Sequence, residues 1–232
     1  MKNILLIGGS YGIGLALAEN LHLNHNVFIA SRSIENISLP DVTHIPFDAL
    51  NDTLDLSKLP TVIDGLVYCP GSINLKPFKG LKITDFETDI QVNFISMVKI
   101  VQLLLPQLTA AAQSSIVLFS SVAVNLGMPF HTSVAASKGA IEGFAKALAA
   151  EYAPKIRVNV IAPSLTNTPL ADKFLNNETK QQKSAERHPL KRFGQPEDIA
   201  NMAAFLLDEK ASWITGQVFH VDGGMSTLLV TH

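Results

Sequence analysis

The chain has 232 residues, 47% hydrophobic and 16% charged, with a formal net charge of −2 and a single cysteine, Cys69. That length suits one α/β domain with a real core. The composition excludes a disordered chain, and the weak charge argues against nucleic acid as a partner. A lone cysteine allows no intrachain disulfide and fits a reducing, cytoplasmic setting. No run of 18 apolar residues appears, so no membrane span is expected.

The N-terminal run NILLI (residues 3–7) reads as a buried strand entering the glycine turn Gly8-Gly9-Ser10-Tyr11-Gly12-Ile13-Gly14. No small-residue cleavage site follows it, so it is not read as a signal peptide. Helical periodicity over 13–23 leads to a strand at 26–30 and another at 43–47. A strand at 65–69 precedes a long amphipathic segment, 84–104, with Pro106 expected to close it. Strand 115–119, helix 134–152, strand 157–161, helix 196–207 and strand 217–221 complete the alternation. Short Val- and Ile-rich strands alternating with helices predict a Rossmann-like α/β fold. We expect a single domain over residues 1–232, a doubly wound parallel sheet of about seven strands with helices on both faces. Residues 170–194 break the rhythm: they are polar and lysine-rich, and read as a partly helical insertion, a substrate lid.

Strand, glycine turn and helix in that order are what a dinucleotide requires. One glycine permits the turn, one lets the backbone approach the pyrophosphate, and one lets the helix pack on the strand. The free N–H groups of the helix N-terminus then face the phosphates. Gly8, Ser10, Tyr11, Gly12, Ile13 and Gly14 are therefore candidate cofactor residues. The end of the second strand reads Ser31-Arg32-Ser33, with no acid to hold a ribose 2′-hydroxyl. Arginine's planar fork suits a 2′-phosphate instead, so NADP(H) is the expected cofactor.

The G-x-x-x-G-x-G spacing, and the stretch SVAVNLGMPFHTSVAASK from Ser121 to Lys138, resemble the short-chain dehydrogenase/reductase family. In that family a serine precedes a Y-x-x-x-K motif by thirteen residues. Here Ser121 and Lys138 fall in place, but the tyrosine position holds Val134. Further segments resemble the family across nearly the whole chain. The resemblance implies that Asp48 and Ala49 line the adenine. It puts Cys69, Pro70 and Gly71 in the place of an N-A-G, and makes Asn93 the anchor of a catalytic water. It puts Pro163, Ser164, Thr166 and Thr168 beside the nicotinamide. Lys138 is implied to hold the nicotinamide ribose and Ser121 to polarise a carbonyl oxygen.

Valine has no proton to give. His131 is a candidate substitute donor, because imidazole exchanges protons near neutral pH; its other reading is an ordinary loop histidine. The expected function is an NADP(H)-dependent oxidoreductase acting on a carbonyl or alcohol with an atypical proton donor. The alternative is a non-catalytic NADP(H)-binding sensor or inactive partner subunit. Lid cations are read either as a solvated face or as attraction for an anionic substrate or acyl carrier. Small-molecule substrate, no nucleic acid, no membrane and no metal are expected. Apolar residues on the two long helices, with the resemblance, imply a homodimer or homotetramer.

Overall fold

The computed structural model describes residues 1–230. Seven strands form one parallel sheet: β1 (Asn3–Ile7), β2 (Asn26–Ser31), β3 (Val42–Pro46), β4 (Gly65–Tyr68), β5 (Ser114–Phe119), β6 (Ile156–Pro163) and β7 (Val218–Val221). Their order is β3-β2-β1-β4-β5-β6-β7. The order reverses between β1 and β4, which opens a crevice at the carboxyl ends of the strands, where ligands of such sheets bind.

Alternate strand residues face opposite layers. Leu5, Ile7, Leu66, Ile116, Val158 and Val160 share one core with Met97, Ile100 and Leu104 of α3 (Ser96–Ala110) and Ile141 and Leu148 of α4 (Thr132–Tyr152). Ile4, Leu6, Val67, Val117 and Ile161 share the other with Leu17 and Leu21 of α1 (Gly12–Leu21) and Ile199 and Ala203 of α7 (Pro196–Leu207). Burial on both faces explains why the strands are continuous apolar runs.

The long second helical segment departs from expectation. It runs as α2 (Ile83–Ile90), a π-helical turn (Gln91–Ile95) and α3, and Pro106 lies inside α3 instead of closing it. Proline deletes one helical hydrogen bond and crowds the preceding turn. Here Leu104 and Leu108, both fully buried, hold the last turns on the sheet and outweigh that local cost. The run Ile83–Ala110 is also long and apolar enough to cross a bilayer, by length and composition only. A helix packed on a sheet through Met97, Ile100 and Leu104 passes the same test.

The insertion contains a short turn (Pro169–Ala171), α5 (Asp172–Leu175) and α6 (Glu178–Arg187). Asn177 caps α6 by accepting from the Lys180 N–H at 2.9 Å. The insertion leaves and returns at one place: Thr166 and Gly194 form a parallel bridge, and the Gly194 N–H donates to the Leu165 carbonyl at 3.0 Å. It is thus an excursion from the end of β6, over the carboxyl edge of the sheet.

Candidate active site

The glycine turn is as tight as its sequence suggests. Gly8 adopts φ +80 and Gly12 φ +51. A Cβ added at Gly14 would lie 2.5 Å from the Gly8 carbonyl oxygen, so only glycine lets α1 approach β1 this closely. Tyr11, the N-cap of α1, offers no side-chain cap, which leaves the first-turn N–H groups for an anion. Pro70 packs on Gly8 and Thr168 on Gly12, at 3.1 and 3.0 Å from the added Cβ positions. The ends of β1, β4 and β6 therefore converge on one turn, which fits a dinucleotide.

The adjoining loop refines the expectation for the 2′-phosphate. Arg32 is exposed. The Tyr11 hydroxyl meets the Ser33 hydroxyl at 3.0 Å. Ser31, however, is buried; its hydroxyl donates to the Ser33 carbonyl at 2.9 Å and meets His44 Nε2 at 3.0 Å. It shapes the loop and does not face outward. Asp48 accepts from the Leu50 N–H and the Asn51 side chain. These bonds, with a smaller pull from Arg32, hold its carboxyl below the usual range.

Next to the turn lies a cavity of about 730 Å³ whose lining includes Gly71, Ser121, His131, Val134, Lys138 and Ser164. Ile13, Cys69, Pro163, Thr166 and Thr168 also border it, whereas Arg32, Asp48 and Ala49 do not. Lys138 is buried, and its ammonium donates to the Phe119 carbonyl at 2.9 Å. Burial pulls its pKa down to about 8 and pushes the neighbouring Cys69 thiol up to about 12. Ser121 ends the loop after β5, where its hydroxyl accepts from the Ala123 N–H at 3.2 Å. Val134 lies one helical turn before Lys138 and is 4% exposed. His131, the N-cap of α4, donates from Nδ1 to the Pro129 carbonyl at 2.7 Å.

Asn93 sits in the π-helical turn, a deformation frequent at functional sites. It does not reach the cavity. It accepts from the Ser72 N–H at 3.0 Å and donates to the hydroxyls of Ser72 and Ser137 at 3.0 and 2.9 Å. A Cβ added at Gly71 would lie 3.2 Å from its Oδ1 and 3.4 Å from Lys138 Nζ, so Gly71 keeps a gap between them. The buried Asp89 accepts from Ser72 at 2.5 Å and from Ser133. Sequence reading missed Ser72 and Asp89. An acid one helical turn before Asn93 was the available signal.

Among the described residues, none of the three tyrosines borders the cavity, and no Asp or Glu does. Tyr68 is buried and donates to the Val92 carbonyl at 2.9 Å; burial raises its pKa well above the ordinary phenol. Lys173, Lys180, Lys183 and Arg187 of the insertion line the outer wall. Sequence reading took His188, which follows α6, only as one of the lid cations. It is 3% exposed and lies 2.9 Å from the Ser164 hydroxyl through Nε2 and 2.7 Å from the Ser184 carbonyl through Nδ1.

A family model described as enoyl-(acyl carrier protein) reductase matches residues 54–226. A tropinone reductase homologue of Arabidopsis thaliana is 33% identical over 243 residues, covering 97% of this chain and 91% of the relative. The ligand-free aldohexose dehydrogenase of Thermoplasma acidophilum is similar at a TM-score of 0.89 and 28% identity, covering 100% of this chain and 96% of that one. ElxO with NADP bound gives 0.89 at 26% identity, over 98% and 99% of the two chains.

Proposed function

Because the chain belongs to the short-chain dehydrogenase/reductase family of oxidoreductases, we propose that it is an NADP(H)-dependent enzyme interconverting a carbonyl and an alcohol, with Val134 standing where relatives carry the catalytic tyrosine. The observation that carries this reading is that Ser121, Lys138 and Ile13 of the glycine turn line a single cavity. When bound, the reduced nicotinamide supplies the hydride that converts a carbonyl to an alcohol. Lys138 uses one N–H on Phe119 and keeps the others for the ribose hydroxyls. The Ser121 hydroxyl polarises the carbonyl oxygen, a contribution that outlasts the loss of a general acid. Asn93 stiffens the floor by tying Ser72 to α4 through Ser137.

NADP(H) is favoured over NAD(H) by exposed Arg32 and the absence of an acid at the end of β2. That ElxO was solved with NADP bound accords with this. Fluorescence titration with NADPH and NADH is the test, and tighter NADPH is expected. Arg32→Asp then costs NADPH about 1.5–3 kcal/mol more than it costs NADH. Equal affinities for the two cofactors in the wild type count against the assignment.

Val134 is the observation that favours the second reading, a non-catalytic NADP(H)-binding protein. Such a protein binds NADPH as tightly and turns over nothing. For either reading we place the chain in the cytoplasm as a homodimer or homotetramer, joined through α3 and α4. A monomer mass by light scattering would contradict that assembly.

A further inference from the structure

We propose that Ser164 and His188 form the proton-delivery pair of this enzyme, Ser164 as the hydroxyl that protonates the substrate oxygen and His188 as the residue that positions and recharges it. The proposal rests on the oxidoreductase reading above. It begins with a tautomer. The Ser184 carbonyl can only accept, so the His188 Nδ1 at 2.7 Å carries a proton. In the neutral ring Nε2 is then bare and accepts from the Ser164 hydroxyl at 2.9 Å. When the ring is protonated, Nε2–H donates to Ser164 Oγ instead, and the hydroxyl proton is released toward the cavity. The imidazole has little room to turn. It is 3% exposed, both nitrogens are engaged, and it abuts Gly223, where an added Cβ would lie 3.6 Å from His188 Cδ2.

Position supplies the second argument. Ser164 and His188 are the two residues shared by the main cavity and a second one of about 210 Å³. The second cavity is bordered by Leu190 and Arg192, both exposed. The pair thus lies between the reaction cavity and the second cavity. His131, Lys138, Lys173, Lys180, Lys183 and Arg187 are the titratable groups on the reaction side. Arg192, Asp198 and Asp222 face the second cavity, and Lys191 follows His188 in the chain. Arg192 is bound by Asp198 through two contacts of 2.5 and 2.7 Å.

The step balances. The carbonyl carbon takes the hydride of the reduced nicotinamide and the C=O π pair moves to oxygen. That oxygen takes the Ser164 proton, Ser164 takes the Nε2 proton, and His188, now neutral, is reprotonated from water on the side of the second cavity. Overall, carbonyl, NADPH and one proton give alcohol and NADP⁺. In oxidation the same path runs backward.

The test compares wild type, Ser164→Ala, His188→Gln and the double variant with benzaldehyde, cyclohexanone and ethyl acetoacetate as probes. Each single variant lowers kcat by about 10²-fold, at the low end for a lost general acid, while His188→Gln retains NADPH affinity. The double variant loses no more than either single one, as expected of groups acting as a unit. Wild-type reduction falls along a limb as pH rises, and His188→Gln loses that limb. A merely structural lid contact would instead raise KM and leave the limb in place. Independently of turnover, the ring ¹⁵N signals of the neutral protein report an Nδ1–H tautomer, and Ser164→Ala shifts the Nε2 signal. An Nε2–H tautomer, or a His188→Gln enzyme with wild-type kcat and pH profile, overturns the pair alone. A wild type that reduces none of the probes overturns the oxidoreductase reading and the pair with it.

Discussion

At the scale of single residues, the site's chemistry turns on what surrounds Lys138. Its folded pKa of about 8 lies below the 10.5 of the unperturbed amine because burial disfavours the ammonium. Between those values the unfolded chain holds the extra proton, so unfolding free energy rises with pH across that window. Below about pH 8 both states are protonated and the desolvation cost is carried in full. Lys138→Met removes the rise, which amounts to on the order of 3 kcal/mol; denaturant melts of wild type and variant from neutral to alkaline pH measure the difference. The same variant weakens NADPH if Lys138 holds the ribose. Val134→Tyr probes the neighbouring position. Residues four apart share a helix face, so the phenol stands beside the ammonium, which lowers its pKa from about 10. In a His188→Gln background the new phenol restores carbonyl reduction by about 10²-fold. A folded, NADPH-binding variant with no recovery would mean that the carbonyl does not sit beside residue 134. That Ser121, Val134 and Lys138 border one cavity was legible because one short segment carries all three. His188 was not: its partner Ser164 is 24 residues away, and only the fold of the insertion joins them.

At the scale of elements, the strands were legible within a residue or two, because runs buried on both faces carry their own signal. The helix through Pro106 was not, because packing of Leu104 and Leu108 overrides a local rule that sequence reading takes at face value. The first βα unit was read from its glycines, and geometry explains why they are needed. A methyl at position 14 collides with the Gly8 carbonyl oxygen, 2.5 Å away. Gly14→Ala must push α1 off β1, costing roughly 1–3 kcal/mol as overpacking does. It also displaces the first-turn N–H groups from a phosphate. Thermal denaturation and NADPH titration read the two effects together; a variant with wild-type stability and affinity would show that the turn tolerates the shift and does not set the phosphate site.

At the scale of the whole molecule, a seven-stranded sheet with its order reversed between β1 and β4 brings the ends of β1, β4, β5 and β6 to one edge, and the insertion after β6 covers it. Lysines and an arginine border the cavity there, with no carboxylate among the described residues, a field that draws anions inward. The sheet follows from alternation along the sequence. The cover does not, because polar segments encode no fixed partner until the chain closes on itself. The most direct test of the account is NADPH oxidation by the wild-type protein, followed by absorbance against a broad panel of aldehydes and ketones. The account predicts carbonyl-dependent oxidation of NADPH with stoichiometric alcohol. Tight NADPH binding with no oxidation by any member of the panel would contradict it and favour the non-catalytic reading.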